Sequence, residues 1–313
     1  MTGHAFDDLP AVGPAAITLG VFDGVHLGHR HLVNATRHAA AAAGASSVAI
    51  VFTPHPDEVI RPGTIVPRLL PPEVTLERLR EAGIDHALPV RFDTALRGLA
   101  PEEFLAGLAP AIRTRAVVMT PESAFGRGRA GTLARVTEIG HELGFDTVAV
   151  EPARLDGGVV SSSRIRTALQ AGDVEAAATL LGSRPLLRGT VIHGDARGRG
   201  LGFPTANLAF AYTPALPVLG IYLGRVSVPE RGVGPHHPAL VSIGVRPTFH
   251  DEGFVFVEVY LLDWDGDLYD TTLDVELSHR LREERRFDST DALVAQMGRD
   301  EAEARRLIGL DGG

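Results

Sequence analysis

Apolar and polar positions alternate in two different patterns along this chain, and the pattern changes after residue 182. In the first part, strand-like apolar runs alternate with runs of helical period, which is typical of a parallel sheet covered by helices on both faces. The predicted strands are residues 16–22, 47–52, 86–90, 116–119 and 147–150. The predicted helices are residues 29–43, 101–108, 133–143, 162–170 and 174–181.

The second part has short alternating strands separated by turns, which indicates a small antiparallel barrel. Its predicted strands are residues 187–192, 220–228, 239–243, 254–262 and 272–277, and a predicted helix over residues 290–307 closes it. The segment Gly182-Ser-Arg-Pro185 is a short linker between the two parts. We therefore expect an α/β domain over residues 1–182 and an all-β domain over residues 183–313.

The composition supports two folded domains and excludes several kinds of chemistry. The chain has 313 residues, of which 44% are hydrophobic and 22% charged, enough for two cores. It contains neither cysteine nor lysine. Their absence from the sequence excludes disulfides, thiolate nucleophiles, a Walker-type P-loop and Schiff-base chemistry. Arginine, histidine, glycine turns and helix ends are left to hold phosphates.

The charge and hydropathy of the chain bear on its partners. A net charge of -9 disfavours binding to nucleic acid or anionic lipid. The N-terminus lacks a basic region followed by an apolar run, and no apolar stretch of the sequence is long enough to span a bilayer. We expect a soluble cytoplasmic protein without nucleic-acid or membrane partners, and a homo-oligomer is compatible with the sequence.

A glycine-punctuated segment, Gly20-Val-Phe-Asp-Gly-Val-His-Leu-Gly-His29, lies between the first predicted strand and the first predicted helix. Helix-start N–H groups attract phosphates, and glycines let the backbone approach them closely. His26 and His29 would stabilise charge on a transferring phosphorus and on the leaving pyrophosphate. The alternative is helix-start polar residues or a metal pair with His31 nearby, but no cysteine completes a metal site. The residues expected at the phosphates in this segment are Gly20, Phe22, Gly24 and Gly28.

A second glycine-rich segment, His193-Gly-Asp-Ala-Arg-Gly-Arg-Gly-Leu-Gly-Phe-Pro-Thr-Ala-Asn-Leu208, lies near the start of the second part. Its N–H groups and arginines can wrap the phosphates of ATP, and Thr205 and Asn207 offer hard oxygen ligands for Mg²⁺. A glycine-rich loop on its own is more often a flexible turn. The residues expected at ATP here are Gly194, Arg197, Gly198 and Gly202.

The first glycine-punctuated segment resembles the signature of the HxGH nucleotidyltransferase superfamily, in the form used by bacterial FAD synthetases. Phe52-Thr-Pro-His-Pro56 and Ser161-Ser-Ser-Arg-Ile-Arg166 are similar to the second and third motifs of that family. The resemblance implies a Rossmann-like fold and places His55 and Pro56 at the flavin. Serines of the third motif can cap a helix and donate to phosphates, and its arginines can pair with phosphate charge. An ordinary capped helix with surface arginines is the alternative. The third-motif residues expected at ATP are Ser161, Ser162, Ser163, Arg164 and Arg166.

The second glycine-rich segment resembles the riboflavin kinase signature almost residue for residue, and further segments follow in family order. These segments are Gly220-Ile-Tyr-Leu, Ser242-Ile-Gly-Val-Arg-Pro-Thr-Phe249, Val257-Glu-Val-Tyr-Leu-Leu262, Asp267-Leu-Tyr269 and Leu281-Arg-Glu-Glu-Arg-Arg-Phe-Asp288. The resemblance makes Glu258 the base that takes the proton of the riboflavin 5′-hydroxyl; a solvent-facing glutamate on an alternating strand is the alternative. It also places Arg246 and Arg282 at the flavin, with surface pairing of Arg282 to Glu283 or Glu284 as the alternative.

One turn departs from the family pattern. Before Phe125-Gly126 the family reads glycine, any residue, asparagine or aspartate, and then an aromatic, whereas this chain reads Thr120-Pro-Glu-Ser123. In the family this turn helps to hold FMN and ATP, so Glu122 and Phe125 are the residues expected at the flavin. The departure raises the alternative of a kinase-only or modified-flavin paralogue with an impaired adenylyltransferase site.

The resemblance covers nearly the whole chain and implies a bifunctional enzyme that phosphorylates riboflavin to FMN and adenylylates FMN to FAD. Mg²⁺ is the implied cofactor and ATP the co-substrate, with riboflavin and FMN as small-molecule partners. A non-catalytic flavin or nucleotide binder with a regulatory role is a further alternative. The intact Thr205, Asn207 and Glu258 count against it, since a binder does not require magnesium ligands together with a base.

Overall fold

The computed structural model describes residues 3–194, 202–228, 231–246 and 254–311. The chain divides into two compact units. The first unit comprises Met1–Val66 and Pro71–Ser162, and the second comprises Pro67–Leu70 and Ser163–Gly313. Two compact units agree with a two-domain chain, and the functional limits of 1–182 and 183–313 stay a prediction.

The first unit is built on a five-stranded parallel sheet. Its elements in chain order are β1 (Gly13–Gly20), α1 (Leu27–Ala42), β2 (Ser46–Thr53), α2 (Pro56–Ile60), α3 (Pro72–Glu81), β3 (His86–Arg91), α4 (Thr94–Gly98), α5 (Pro101–Gly107), β4 (Ile112–Met119), α6 (Leu133–Leu143), β5 (Asp146–Ala149), β6 (Arg154–Leu155) and β7 (Gly158–Val159). The strand order in the sheet is β3-β2-β1-β4-β5, and β6 and β7 form a separate two-stranded ladder. β1 is therefore the central strand of the sheet.

Small and branched apolar side chains explain the packing of this sheet. β2 is buried along nearly its whole length, as expected for a parallel strand covered on both faces. Ala16 of β1, Ala40 of α1 and Ala116 of β4 form one buried cluster. Their small side chains let α1 lie close to the centre of the sheet. The chain between β1 and α1 is thereby held at the carboxyl edge of the strands, where α/β folds bind ligands.

The second unit is a closed antiparallel barrel with flanking helices. Its elements in chain order are α7 (Ser162–Ala171), α8 (Val174–Leu181), β8 (Leu186–Ile192), β9 (Ala206–Ala209), β10 (Gly220–Val228), β11 (Val233–Arg246), β12 (Phe254–Leu261), β13 (Thr272–Arg282) and α9 (Thr290–Asp311). The barrel closes in the order β10-β11-β12-β9-β8-β13, and every pair is antiparallel. α9 covers an apolar patch that includes Leu223, Leu240 and Leu262. The α/β plus all-β fold class is thus confirmed.

The two helices before the barrel pack within the second unit. α8 buries Val174, Ala177, Leu180 and Leu181, and it lies against β13. At this contact Glu175 and His279 lie close, with 2.8 Å between Oε1 and Nδ1. The start of α7 coincides with the division between the units, since Ser162 belongs to the first and Ser163 to the second.

Several element limits differ from the sequence predictions. The first strand ends at Gly20 rather than at Phe22, because Phe22 adopts a left-handed conformation with φ of 54°. β13 continues to Arg282 through polar residues that pair with β10. The pattern did not predict α2, α3, α4 or β9, which are short or begin beside prolines. No helix in the described part of the chain is both long and apolar enough to cross a bilayer.

Candidate active sites

The turn after β1 combines an unusual backbone with the two motif histidines. Phe22 and Val25 have φ of 54° and 40°, a region that costs energy for residues other than glycine, and Gly24 has φ of 87°. The Val25 N–H donates to the Phe22 carbonyl at 3.0 Å. Backbone outliers of this kind concentrate at binding and catalytic sites. We call residues 20–29 the nucleotide turn.

His26 and His29 lie in contact at the start of α1. The Nδ1 atom of His26 caps the helix and accepts from the His29 backbone N–H at 3.3 Å. The two rings are stacked with centroids 3.7 Å apart, and the Phe22 ring lies 5.3 Å from that of His29. Within the described residues, Nδ1 of His29 is buried without a hydrogen-bond partner. A buried donor or acceptor without a partner is a candidate ligand contact.

The electrostatics of the pair keep one imidazole uncharged. Burial, and secondarily the neighbouring His26, hold the pKa of His29 well below its ordinary value. His29 is therefore neutral near pH 7 and has an N–H group available as a donor without carrying a full charge. Phosphate groups beside it would oppose this shift, because an anion favours the protonated form.

Two further contacts define the nucleotide turn. A Cβ at Gly28 would lie 3.0 Å from the Val160 carbonyl oxygen and 3.1 Å from the His26 ring, so a side chain at this position would press on both neighbours. The Ser162 hydroxyl donates to the Asp23 carbonyl at 2.9 Å, which joins the third motif to the first within one unit. Gly20 is less constrained, since its nearest neighbour would be the Phe22 ring at 3.5 Å.

The other third-motif residues lie around the start of α7. Ser161 precedes the helix, whereas Ser163, Arg164 and Arg166 lie within it. The Nε atom of Arg166 donates to the Pro67 carbonyl at 2.8 Å, inside the second unit. The expected phosphate contacts of these residues stay predictions.

A cleft of about 670 Å³ opens beside the nucleotide turn in the first unit. Phe52, Phe92, Phe104 and Phe125 line it, together with Gly20 at the turn. The ring centroids of Phe104 and Phe125 are 5.3 Å apart, and those of Phe52 and Phe92 are 5.5 Å apart. An apolar, aromatic cleft of this volume suits a flat heteroaromatic ligand. Of these four phenylalanines only Phe125 was expected at the flavin from the sequence, and Phe52 was noted only as part of the second motif. The four come from separate segments of the chain, so the sequence does not show that they meet.

The second motif lies on the wall of this cleft. His55 caps α2 through Nδ1, which accepts from the Asp57 N–H at 3.1 Å, and Pro56 occupies the first position of the helix. Proline fits there because the first helical N–H has no partner within the helix. Both residues line the cleft, and the contact with a flavin that the resemblance implies stays a prediction.

The turn that departs from the family pattern is closed by its own residues. The Ser123 N–H donates to the Thr120 carbonyl at 3.0 Å, and the two hydroxyls lie 2.8 Å apart. Ser123 and Phe125 line the cleft, whereas Glu122 is exposed and is not among the lining residues. Arg129, which also lines the cleft, donates to the Glu122 carbonyl at 3.4 Å. Thr120 and Ser123 thus form an ordered turn without the family's glycine.

The candidate base of the barrel lies in a row of polar residues across three strands. Glu258 on β12 is directly opposite Asn207 on β9 and Ser242 on β11. Side chains at such positions lie about 5 Å apart at Cβ. A Cβ at Gly194 would overlap the amide of Asn207, so the glycine lets the loop approach this row closely. Gly202 is described and exposed, whereas Arg197 and Gly198 lie outside the described residues.

A second pocket, of about 160 Å³, is lined by Thr205, which precedes Asn207 of this row by two residues. Trp264, Leu268 and Tyr269 line it from the segment after β12. The Tyr269 ring stacks on His193 with centroids 3.8 Å apart. Aromatic side chains and Thr205 therefore share the wall of one pocket. Trp264 was not predicted, although an aromatic residue in a Gly/Asp-rich turn is a usable signal.

Arg282 lies at the end of β13 and is held by α9. Its Nε donates to Oδ1 of Asp300 at 2.9 Å and its Nη2 donates to Oδ2 at 2.7 Å. Gln296 donates to the same carboxylate at 2.8 Å. Of the two glutamates considered as partners, Glu283 accepts from Arg282 through its backbone carbonyl at 2.8 Å. The Arg246 side chain lies outside the described part of the structure.

A nucleotide turn beside an aromatic cleft in one unit, and a row of Ser242, Glu258 and Asn207 in the barrel of the other, are the arrangement expected of a nucleotidyltransferase joined to a small-molecule kinase. Comparison with known families agrees. Residues 10–164 match the family described as FAD synthetase, and residues 181–308 match the family described as riboflavin kinase. The chain belongs to the family of bifunctional riboflavin kinase/FMN adenylyltransferases.

Individual relatives cover almost the full length of the chain. The bifunctional riboflavin kinase/FMN adenylyltransferase of Pseudomonas fluorescens is 36% identical over 93% of this chain and 92% of its own. That of Escherichia coli K12 is 35% identical over 98% and 96%. A crystal structure named as a macrolide-efflux protein from Streptococcus pneumoniae has a TM-score of 0.87 and 29% identity, covering 97% of each chain. The word efflux belongs to the name of that protein alone. The structural similarity supports the two-unit fold described above.

Proposed function

We propose that this chain makes FAD from riboflavin in two ATP-dependent steps, riboflavin to FMN in the barrel unit and FMN to FAD in the parallel-sheet unit. The observation that carries this conclusion is that one chain contains both family matches, with relatives that bear both activities in their names. No relative named here favours a kinase-only or regulatory protein.

In the first unit, the FMN phosphate oxygen attacks the α-phosphorus of ATP, the bond to the β-phosphate oxygen breaks, and pyrophosphate leaves. The neutral imidazole of His29 donates to the developing charge, and the start of α1 adds N–H groups beside it. The aromatic cleft holds the isoalloxazine ring, which fixes the direction of attack. The reaction needs positioning and charge stabilisation without a covalent intermediate.

In the second unit, the riboflavin 5′-hydroxyl attacks the γ-phosphorus of ATP and ADP leaves. Glu258 takes the hydroxyl proton, and Asn207 across the strand pair orients the phosphates. The pocket lined by Trp264 and Tyr269 receives the adenine ring next to Thr205. This assignment is supported by the family's order of motifs and by the cross-strand pairing of Asn207 with Glu258.

Mg²⁺ is the cofactor that fits the residues of the barrel unit. Thr205 and Asn207 offer neutral oxygen ligands, which suit a hard cation whose remaining ligands are phosphate oxygens and water. Within the described residues, no group of three or more histidine, aspartate or glutamate side chains could hold a metal by itself. When bound, Mg²⁺ neutralises charge on the transferred phosphoryl group.

The test is to incubate the purified chain with riboflavin, ATP and Mg²⁺ and to follow the flavins over time by chromatography with mass detection. Conversion of riboflavin to FMN and then to FAD supports both sites. Accumulation of FMN without FAD would contradict the adenylyltransferase assignment, and unchanged riboflavin would contradict the kinase assignment. Omission of Mg²⁺, with chelator added, tests the cofactor separately.

The cytoplasmic location also belongs to this proposal. Use of ATP as the co-substrate of both steps supports it. Fractionation of cells that express the chain, with activity measured in each fraction, is the direct measurement.

A further inference from the structure

Arg97 lines the aromatic cleft from a well-anchored position. It lies in the last turn of α4, where Asp93 caps the helix by accepting from the Leu96 N–H at 2.9 Å. Leu96 is buried at 5% exposure and also lines the cleft. The helix turn that carries Arg97 is therefore fixed to the core, and Arg97 adds a cation to a cleft whose wall is largely aromatic.

The guanidinium of Arg97 forms neither a hydrogen bond nor an ion pair with the described residues. Neighbouring arginines of the same unit do: Arg91 pairs with Asp93 at 3.2 Å, and Arg135 pairs with Glu138 at 2.7 Å. A guanidinium offers five N–H donors in a planar fork that matches two adjacent acceptors. Arg97 is thus a cation with free donors at the edge of an aromatic cleft.

The sheet order places Arg97 far from the reacting phosphates. α4 follows β3, the nucleotide turn follows β1, and β2 lies between the two strands. Two strand spacings separate the ends of β1 and β3 by roughly 10 Å. Arg97 is therefore on the β3 side of the cleft, away from the nucleotide turn where the proposed function places the FMN phosphate.

We propose that Arg97 is a specificity-determining residue that hydrogen bonds the carbonyl oxygens on the pyrimidine edge of the FMN isoalloxazine ring. These oxygens are the carbonyl acceptors of the ring, and the phenylalanines of the cleft offer them no hydrogen-bond donor. The inference rests on the proposed FMN adenylyltransferase function and adds the group by which this chain's cleft orients the ring. An exposed arginine solvated at a helix end is the competing interpretation.

The first experiment compares Arg97→Ala and Arg97→Lys with the full-length wild-type chain in FAD synthesis from FMN at saturating ATP. We expect the KM for FMN to rise about tenfold in Arg97→Ala with little change in kcat, because a ground-state binding contact is lost. Arg97→Lys should recover only part of the loss, since it lacks the fork. Arg80→Ala, an exposed helical arginine outside the cleft, is the matched control and should behave as wild type.

The second experiment identifies the edge of the ring that Arg97 contacts. With 4-thio-FMN, a poorer acceptor on the pyrimidine edge, the difference between wild type and Arg97→Ala should shrink. With an FMN altered at C8, on the opposite edge of the ring, the difference between wild type and Arg97→Ala should be as large as with FMN.

Three results would overturn the inference. The first is an unchanged KM for FMN in Arg97→Ala, and the second is a fall in both kcat and stability of that variant. The third is full recovery of KM in Arg97→Lys together with a difference between wild type and Arg97→Ala that is as large with 4-thio-FMN as with FMN. Absence of FAD synthesis by the wild type would instead contradict the proposed function.

Discussion

The buried ion pair between Arg282 and Asp300 gives a stability prediction that the structure makes quantitative. Arg282 ends β13, Asp300 lies on α9, and their side chains are only 11% and 6% exposed. Asp300→Asn keeps the size of the side chain and removes its charge. The guanidinium then stays buried without a counter-ion, and its hydrogen bonds to the side chain at position 300 weaken.

Breaking a buried pair by removing one partner typically costs 3–5 kcal/mol, and the residual exposure of Arg282 favours the lower limit, about 3 kcal/mol. For a unit of this size the loss corresponds to roughly 6–12 °C in the unfolding midpoint. Replacing both members with apolar residues, Arg282→Met with Asp300→Leu, should recover much of the stability because no uncompensated charge is left.

The chain offers a clean assay for this unit, since its single tryptophan, Trp264, lies in the barrel segment. Urea unfolding followed by Trp264 fluorescence therefore reports the second unit without the first. Asp263→Asn is the control: Asp263 pairs with Arg305, and both side chains are largely exposed, at 70% and 45%. It should change the midpoint little. Equal midpoints for Asp300→Asn and Asp263→Asn would refute the burial argument.

Other predictions concern the two sites. Glu258→Gln should abolish FMN formation and spare FAD formation from supplied FMN, whereas His29→Ala should do the reverse. Chromatography of the flavins measures both, and loss of both activities in either folded variant would contradict independent sites. Gly28→Ala should lower FAD formation at least tenfold and leave FMN formation unchanged, because its Cβ crowds Val160 and the His26 ring. Burial lowers the pKa of folded His29, so the first unit has its full stability above the ordinary value of 6.5 and loses stability as pH falls below it. Far-UV circular dichroism should show less acid-side loss in His29→Gln, and an unchanged pH profile would count against this assignment.

The fold followed from the sequence where one type of side chain dominates a segment. The apolar run of β2 and the alternating run of β10 were predicted within one residue at each end, since burial alone determines them. β9 was not predicted, because Pro204-Thr-Ala-Asn207 carries the signs of a ligand loop and the strand exists through pairing with β8 and β12. Such pairing has no local signature.

The residues of the site motifs could be predicted from the sequence, whereas the cleft beside them could not. His26, His29 and Glu258 stand in continuous motifs, and the structure places the two histidines in contact. The aromatic cleft is assembled from Phe52, Phe92, Phe104 and Phe125, whose proximity depends on the sheet order. Asp300 as the partner of Arg282 was equally hidden, because it lies 18 residues further along the chain on a separate helix.

The packing of α8 on β13 limits where the chain can be cut to separate the two activities or to build a hybrid of two relatives. A chain cut after Gly182, the apparent linker, would leave Val174, Ala177 and Leu180 without the strand that covers them. An isolated first half of this length would carry an apolar stripe into solvent and tend to self-associate. A cut close to Ser162 avoids that stripe but ends the third motif before its arginines. Neither position gives a clean exchange, so a hybrid of two relatives is expected to work only when α8 and its barrel come from the same parent.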